Sequence, residues 1–140
     1  MNRMVKVLDE LWILTEEGAV LYNHVYKEKV SPQLFGALLS AINTFAEEVS
    51  DGGLSNFELS DRQFILYKKN NILFIGSSSR KLKKEIISGE LDKISEIFFN
   101  KYPHVAKRDN WDGEISVFES FEKEIEDAFE DSVKQFWKGF

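Results

Sequence analysis

The order of apolar and polar positions divides this chain into eight segments. Leu11-Trp12-Ile13-Leu14 is a short continuous apolar run, followed by Thr15-Glu16-Glu17-Gly18 and then Ala19-Val20-Leu21-Tyr22-Asn23-His24-Val25-Tyr26. Two β-rich runs around a polar stretch ending in Gly predict a hairpin. The first run lacks alternation, which predicts a strand covered on both faces. Residues 1–9 read equally as an extension of that strand and as a lead-in.

Ser31-Pro32 opens the clearest element. Ser is a preferred N-cap, and Pro at the first helical position loses no hydrogen bond. Leu34, Phe35, Leu38, Leu39, Ala41, Ile42, Phe45, Ala46 and Val49 are apolar, and at 100° per residue they fill one arc of roughly 160°. Gly36, Ala37, Ser40, Asn43, Thr44, Glu47 and Glu48 fill the remainder. An arc that wide suits a helix lying flat on a sheet, and Asp51-Gly52-Gly53 ends it.

Three strand signals follow. Phe57 and Leu59 alternate with Asn56 and Glu58; Phe64-Ile65-Leu66-Tyr67 comes next; Ile72-Leu73-Phe74-Ile75-Gly76 lies beyond Lys69-Asn70-Asn71. Paired Asn residues tolerate the positive φ of a tight hairpin, so the reading is a three-stranded antiparallel meander. After Ser77-Ser78-Ser79, Leu82, Ile86, Ile87, Leu91, Ile94, Ile97, Phe98 and Tyr102 recur at helical spacing up to Pro103, with Gly89 a weak point. His104 to Glu114 is polar. Ser116-Val117-Phe118-Glu119 matches a capping box, and Phe118, Phe121, Ile125, Ala128, Phe129, Val133 and Phe136 carry a last helix. With no linker or repeat, residues 1–140 are expected to form one domain.

Composition narrows the function classes. A hydrophobic share of 43% with 12 Phe supplies a real core. A net charge of -6 argues against nucleic acid as a partner, since phosphate binding needs a broad basic face. There is no Cys, which excludes disulfides and thiolate sites. The start, Met1-Asn2-Arg3-Met4-Val5-Lys6, lacks the apolar run of a signal peptide, and no segment has the roughly 18 apolar residues of a span. A cytoplasmic location is the expectation.

The order strand, strand, helix, three strands, helix, helix resembles the longin domain. Leu11-Trp12-Ile13-Leu14-Thr15-Glu16-Glu17-Gly18-Ala19-Val20-Leu21-Tyr22 is similar to that family's opening hairpin. Phe35-Gly36-Ala37-Leu38-Leu39-Ser40-Ala41-Ile42-Asn43-Thr44-Phe45-Ala46 resembles its first helix, and Arg62 to Ser77 its next hairpin. The resemblance covers residues 8 to 138 and implies an α/β (α+β) fold, ββαβββαα. That fold has a five-stranded antiparallel sheet with one helix on one face and two on the other. Within the family the chain looks most like the stand-alone longin and roadblock-type proteins of archaea. No heptad segment and no large C-terminal domain follow, so a SNARE, a whole adaptor medium subunit and a receptor are not expected. Roadblock domains are close in fold but begin with a helix, for which residues 1–9 are short.

Candidate sites are few. His24 and His104 have no spacing suited to a metal, so neither a metal nor a catalytic His is expected. Asp109-Asn110-Trp111-Asp112-Gly113-Glu114 fails the ligand order of a calcium loop and reads as a turn. Gly76-Ser77-Ser78-Ser79-Arg80-Lys81 lacks the phosphate-loop spacing. Arg80, Lys81, Lys83 and Lys84 nonetheless crowd the positive end of a helix, and form a basic-patch candidate for an acidic partner or anionic headgroups. Glu119, Glu122, Glu124, Glu126, Asp127, Glu130 and Asp131 give the last helix an acidic face, read as solvating or as a dock for a basic partner. Phe136, Trp137 and Phe140 are read as core or as an exposed contact.

If the longin topology holds, a single helix has difficulty covering five strands, so apolar surface and a free strand edge are expected beside helix 31–49. Phe35, Leu39, Ile42 and Ala46 are the candidate contact residues, and completion of the core is an equal reading for them. The resemblance implies a protein-interaction module acting on small GTPases or other longin/roadblock subunits in trafficking-type assemblies. A homodimer falls within this expectation, as does at most peripheral contact with membrane. No cofactor is expected, and no enzymatic activity. The competing class is a profilin-like or PAS-like domain sensing a small ligand.

Overall fold

The computed structural model of the chain describes residues 8–24, 31–103, 105, 118 and 120–125. Outside them lie the start of the lead-in, His104, the turn at 109–114, the Ser116 capping box, and the acidic and aromatic positions beyond residue 125.

Asn70 and Asn71 both adopt positive φ, at 53° and 65°. This left-handed pair folds β4 (Gln63–Lys69) directly back into β5 (Ile72–Ser78), so that Lys69 faces Ile72. On its other side β4 pairs antiparallel with β3 (Asn56–Glu58), which completes the expected meander. At the opposite end of the chain, β1 (Glu10–Thr15) turns through Gly18 into β2 (Val20–His24). The two hairpins join where β1 pairs antiparallel with β5, giving the order β2-β1-β5-β4-β3.

Every residue of β5 is buried, as are Leu11 to Thr15 of β1. Central strands covered on both faces need apolar side chains at successive positions, which explains the unbroken run at 11–14. Leu11, Ile13 and Phe74 enter one core; Trp12, Leu14, Leu73 and Ile75 enter the other. The first core is closed by α2 (Lys84–Lys101) and α3 (Phe121–Ile125). Phe98 of α2 meets Phe74 and Phe121 edge to face, with ring centroids 5.7 and 5.3 Å apart, and Phe121 meets Tyr22 of β2 at 5.5 Å. Such edge-to-face contacts favour one relative placement of the layers over its neighbours. Helix α2 runs unbroken through Gly89, where an added Cβ would meet nothing within 4 Å.

The second core lies under α1 (Pro32–Val49), and here the structure departs from the apolar pattern. Leu39 is buried and Phe35 and Ala46 are half-buried, but beside them Gly36, Ser40 and Asn43 also face inward. The helix is therefore turned by roughly 100° about its axis from the centre of its apolar arc. Three polar contacts hold it there. The Ser40 hydroxyl donates to the Glu16 carbonyl, Asn43 Oδ1 accepts the Leu54 N–H at 3.2 Å, and Gln33 Oε1 accepts the Val20 N–H at 3.4 Å. A buried polar group left unpaired is costly, so these partners outweigh the burial of a few more methyl groups. Ser31 stands at the N-cap position, but its hydroxyl makes no capping bond.

Close approach makes the rotation compulsory. A Cβ on Gly36 would lie 2.7 Å from the Gly18 carbonyl oxygen and 2.7 Å from Val20 Cγ2. Gly18 itself sits at φ 100°, where a side chain would be strained. Gly36→Ala is accordingly expected to destabilise the fold by about 1–3 kcal/mol in urea titrations. Helix propensity alone would make the same change a gain of about 1 kcal/mol, so the sign of the shift decides the matter.

Candidate protein-interaction surface

With Gly36, Ser40 and Asn43 turned inward, the outer side of α1 carries the rest of the apolar arc. Leu34 is 63% exposed, Leu38 55%, Ile42 39%, Phe45 69% and Val49 70%. Ala37 and Ala41 are exposed beside them. At i, i+4, i+8, i+11 and i+15 these five side chains form one stripe along the whole helix. Scattered apolar residues on a surface need no explanation, but a continuous stripe of this length is a candidate contact site.

Its surroundings are mostly acidic. Helix α1 contains no basic residue; Glu47 pairs with Lys68 of β4 at 3.4 Å, and Glu48 is exposed. An aromatic row runs from under the N-terminal half of α1 toward the sheet edge. Phe35 lies 4.4 Å from Trp12, Trp12 5.9 Å from Phe64, and Phe57 of the edge strand β3 stacks on Phe64 at 4.6 Å. Phe35 and Phe57 are only half-buried, so this row continues the apolar character of the helix down to the edge.

The structure redistributes the candidate contact residues. Leu39 is 1% exposed and belongs to the core, because the inward rotation carries it onto the sheet. Phe35 packs on Trp12 and Phe64, and Ala46 is half-buried. Of the four, Ile42 alone joins the exposed stripe, at its margin. Leu34, Leu38, Phe45 and Val49 were not among the candidates. The signal that points to them is the spacing of Gly36, Ser40 and Asn43, which places three small or hydrogen-bonding residues on one side of the helix.

The basic candidates at 80–84 gather at the other end of β3, β4 and β5. Arg80 is already engaged, 3.2 Å from Glu58 and 3.4 Å from the Ser60 carbonyl. Lys81, Lys83 and Lys84 are exposed, with Lys83 at the N-cap of α2, but Asp61 and Glu85 are exposed in the same region. Gln63 Nε2 donates to the Ser79 and Leu82 carbonyls at 3.0 and 2.8 Å, which ties the preceding loop to the sheet. The cluster is thus a mixed-charge surface. His24 is half-buried on β2, opposite Leu11. Among the described residues no group of three His, Cys, Asp or Glu is placed to hold a metal, and no helix is long and apolar enough to cross a membrane.

Two ionisable groups near α2 are perturbed. The Tyr67 hydroxyl lies 2.5 Å from Asp92 Oδ1; this hydrogen bond, then burial, raises its pKa. Glu90 is 7% exposed, and its Oε2 has no hydrogen-bond partner among the described residues. Burial raises its pKa, while Lys93, 3.7 Å away, opposes the shift.

Two predictions follow from these placements. Leu39→Ala should cost about 2–5 kcal/mol in chemical denaturation, whereas Leu38→Ala should change stability by under about 0.5 kcal/mol. For Glu90, a raised folded pKa means that the ionised form opposes folding. That penalty is absent at pH values below the ordinary carboxylate range and sets in as pH rises through it. Glu90→Gln should therefore raise stability at pH 7 by on the order of 1 kcal/mol, with the gain shrinking toward pH 4 in thermal melts across pH.

No protein-family model and no curated protein matches the chain. Solved structures do. The Roadblock/LC7 domain from Streptomyces avermitilis superposes with a TM-score of 0.58 at 14% identity, covering 73% of this chain and 89% of that one. The mammalian SRP receptor structure gives 0.54 at 12% identity over 93% and 98% of the two chains. Myxococcus xanthus MglB gives 0.51 at 10% identity over 66% and 85%. Likeness at this level of identity speaks for architecture alone. The sheet order, the single helix on one face and the pair on the other agree with it: this chain has the longin/roadblock fold.

Proposed function

We propose that this chain is a non-catalytic, cytoplasmic protein-interaction module that serves as a subunit or platform for small GTPases or other longin/roadblock proteins in trafficking-type assemblies. The observation that carries the reading is the outer stripe of α1, Leu34, Leu38, Ile42, Phe45 and Val49. The helix keeps these side chains in water while Gly36, Ser40 and Asn43 face the sheet. Buried polar contacts hold it in that orientation, so the exposure is built into the fold. Central apolar anchors rimmed by polar groups supply most of the binding energy of a protein interface, and aromatic anchors are prominent among them. Phe45, flanked by Leu38 and Val49, is such an anchor.

The fold likeness supports the same reading, because longin and roadblock proteins pair with one another or bind small GTPases. The test is affinity capture from extracts of the source cell with the wild-type chain and with Phe45→Glu, followed by mass spectrometry. A small GTPase or a longin/roadblock subunit should be recovered by the wild type and lost with the variant. Recovery of the same proteins by both would sink the proposal. Unchanged urea midpoints would show that the variant still folds.

A further inference from the structure

The two flanks of the exposed stripe differ in chemistry. On one side it passes through Ile42 and Phe35 into the aromatic row that leads to β3. On the other, Ala37, Ala41, Thr44 and Glu48 follow one another at i, i+4, i+7 and i+11, and all four are exposed. The turn between β1 and β2 borders this second row. The Ser40 hydroxyl donates to the Glu16 carbonyl there, and a Cβ on Gly18 would lie 3.2 Å from Ala37 Cα. Glu16 is exposed on that turn, and Asp51 is exposed just beyond the end of the helix. The last turn of α1 has no basic residue, so the negative end of the helix dipole adds to the charge of Glu48. Lys68 is engaged by Glu47 and the Gly52 carbonyl on the inner side of the helix. The second row thus carries carboxylates at its middle and its end, and its two alanines leave it shallow.

We infer that the occupant of the α1 face is a basic amphipathic helix of a different protein, apolar along one ridge and carrying Lys or Arg on one side of that ridge only. This rests on the interface reading above and specifies the chemistry of the partner.

Long Lys and Arg stems lie over the two alanines while their charged heads reach the carboxylates. Glu16 stands beside Ser40, and Glu48 lies about two helical turns further on, roughly 12 Å along the axis. A partner helix running alongside α1 meets both with cations roughly seven or eight residues apart. Its apolar ridge covers Leu34, Leu38, Phe45 and Val49, as an amphipathic helix does when laid on an apolar surface. Other occupants match the charge less well. Helix α1 holds no basic residue, so the α1 of a second copy offers no cation to this row. The carboxylates would repel anionic lipid headgroups.

Two fluorescein-labelled peptides of the same 18-residue length as α1 would probe the site by anisotropy. Both carry a ridge of Leu on an Ala background; beside it one has Lys and the other Glu, at i and i+7. The wild type should bind the Lys peptide roughly fivefold more tightly than the Glu peptide at low salt, and the gap should close as salt is added. Glu16→Lys combined with Glu48→Lys should invert that preference. Phe45→Glu should abolish binding of the Lys peptide even though it adds a carboxylate, whereas a peptide drawn only by net charge would bind that variant more tightly. Leu38→Glu replaces Phe45→Glu if the urea midpoint of the latter falls. Equal binding of both peptides by the wild type, binding of neither, or Lys-peptide binding retained by the variant each overturns the inference. So does a wild-type dimer in light scattering that the Lys peptide does not dissociate, or sedimentation with phosphatidylserine vesicles that Phe45→Glu loses. The two readings separate through capture from extracts. A partner lost with Phe45→Glu, while the two peptides bind alike, removes the basic helix and keeps the interface. Capture unchanged by Phe45→Glu removes the interface itself, and the inference with it.

Discussion

The distance between two glycines sets the rest of this structure. Where α1 crosses the turn between β1 and β2, the Gly36 and Gly18 backbones approach too closely for a Cβ on Gly36. That contact admits one side of the helix and no other. Once Gly36 faces the sheet, Ser40 and Asn43 follow at helical spacing, and each finds a backbone group to satisfy. The outer stripe is the geometric remainder. Its exposure is a consequence of backbone packing, not of a shortage of polar residues.

The two faces of the sheet are therefore closed by different means. On one, α2 and α3 bring Phe98 and Phe121 onto Phe74 and Tyr22, and the layer is held by interlocking rings. On the other, a single helix is fixed by close approach and polar contacts over Trp12, Phe64 and Leu73. The first arrangement encloses its apolar surface. The second leaves Phe35 and Phe57 half-covered and an edge strand beside them.

Much of the fold was legible in the amino-acid order. The run Leu11 to Leu14 announced a two-sided strand, Asn70-Asn71 a tight turn with positive φ, and Ser31-Pro32 a helix start. These features are local, since each depends on residues adjacent in the chain. The rotation of α1 was not legible in the same way. Periodicity defines an apolar arc but does not say which part of it meets the sheet, and an arc of about 160° leaves wide latitude. The choice was made by Gly18, Glu16 and Leu54, which lie outside the helix in sequence and reach it only through the tertiary fold. Leu39 was for that reason open to either reading, contact or core, and is found in the core. Arg80 was likewise read as part of a free basic cluster, because its engagement by Glu58 spans two strands and their turn.

The division of labour within α1 also has an evolutionary consequence. Residues that hold the helix to the sheet and residues that face outward alternate along the same 18 positions, yet they do separate work. Substitutions on the outer stripe leave the Gly36–Gly18 crossing and the Ser40 and Asn43 bonds untouched. A lineage carrying this scaffold can alter that outer surface residue by residue at little cost to the fold. After duplication, two paralogues could diverge in the chemistry of this one helix face by changing a few side chains, while the sheet, its turns and the opposite face stayed as they were.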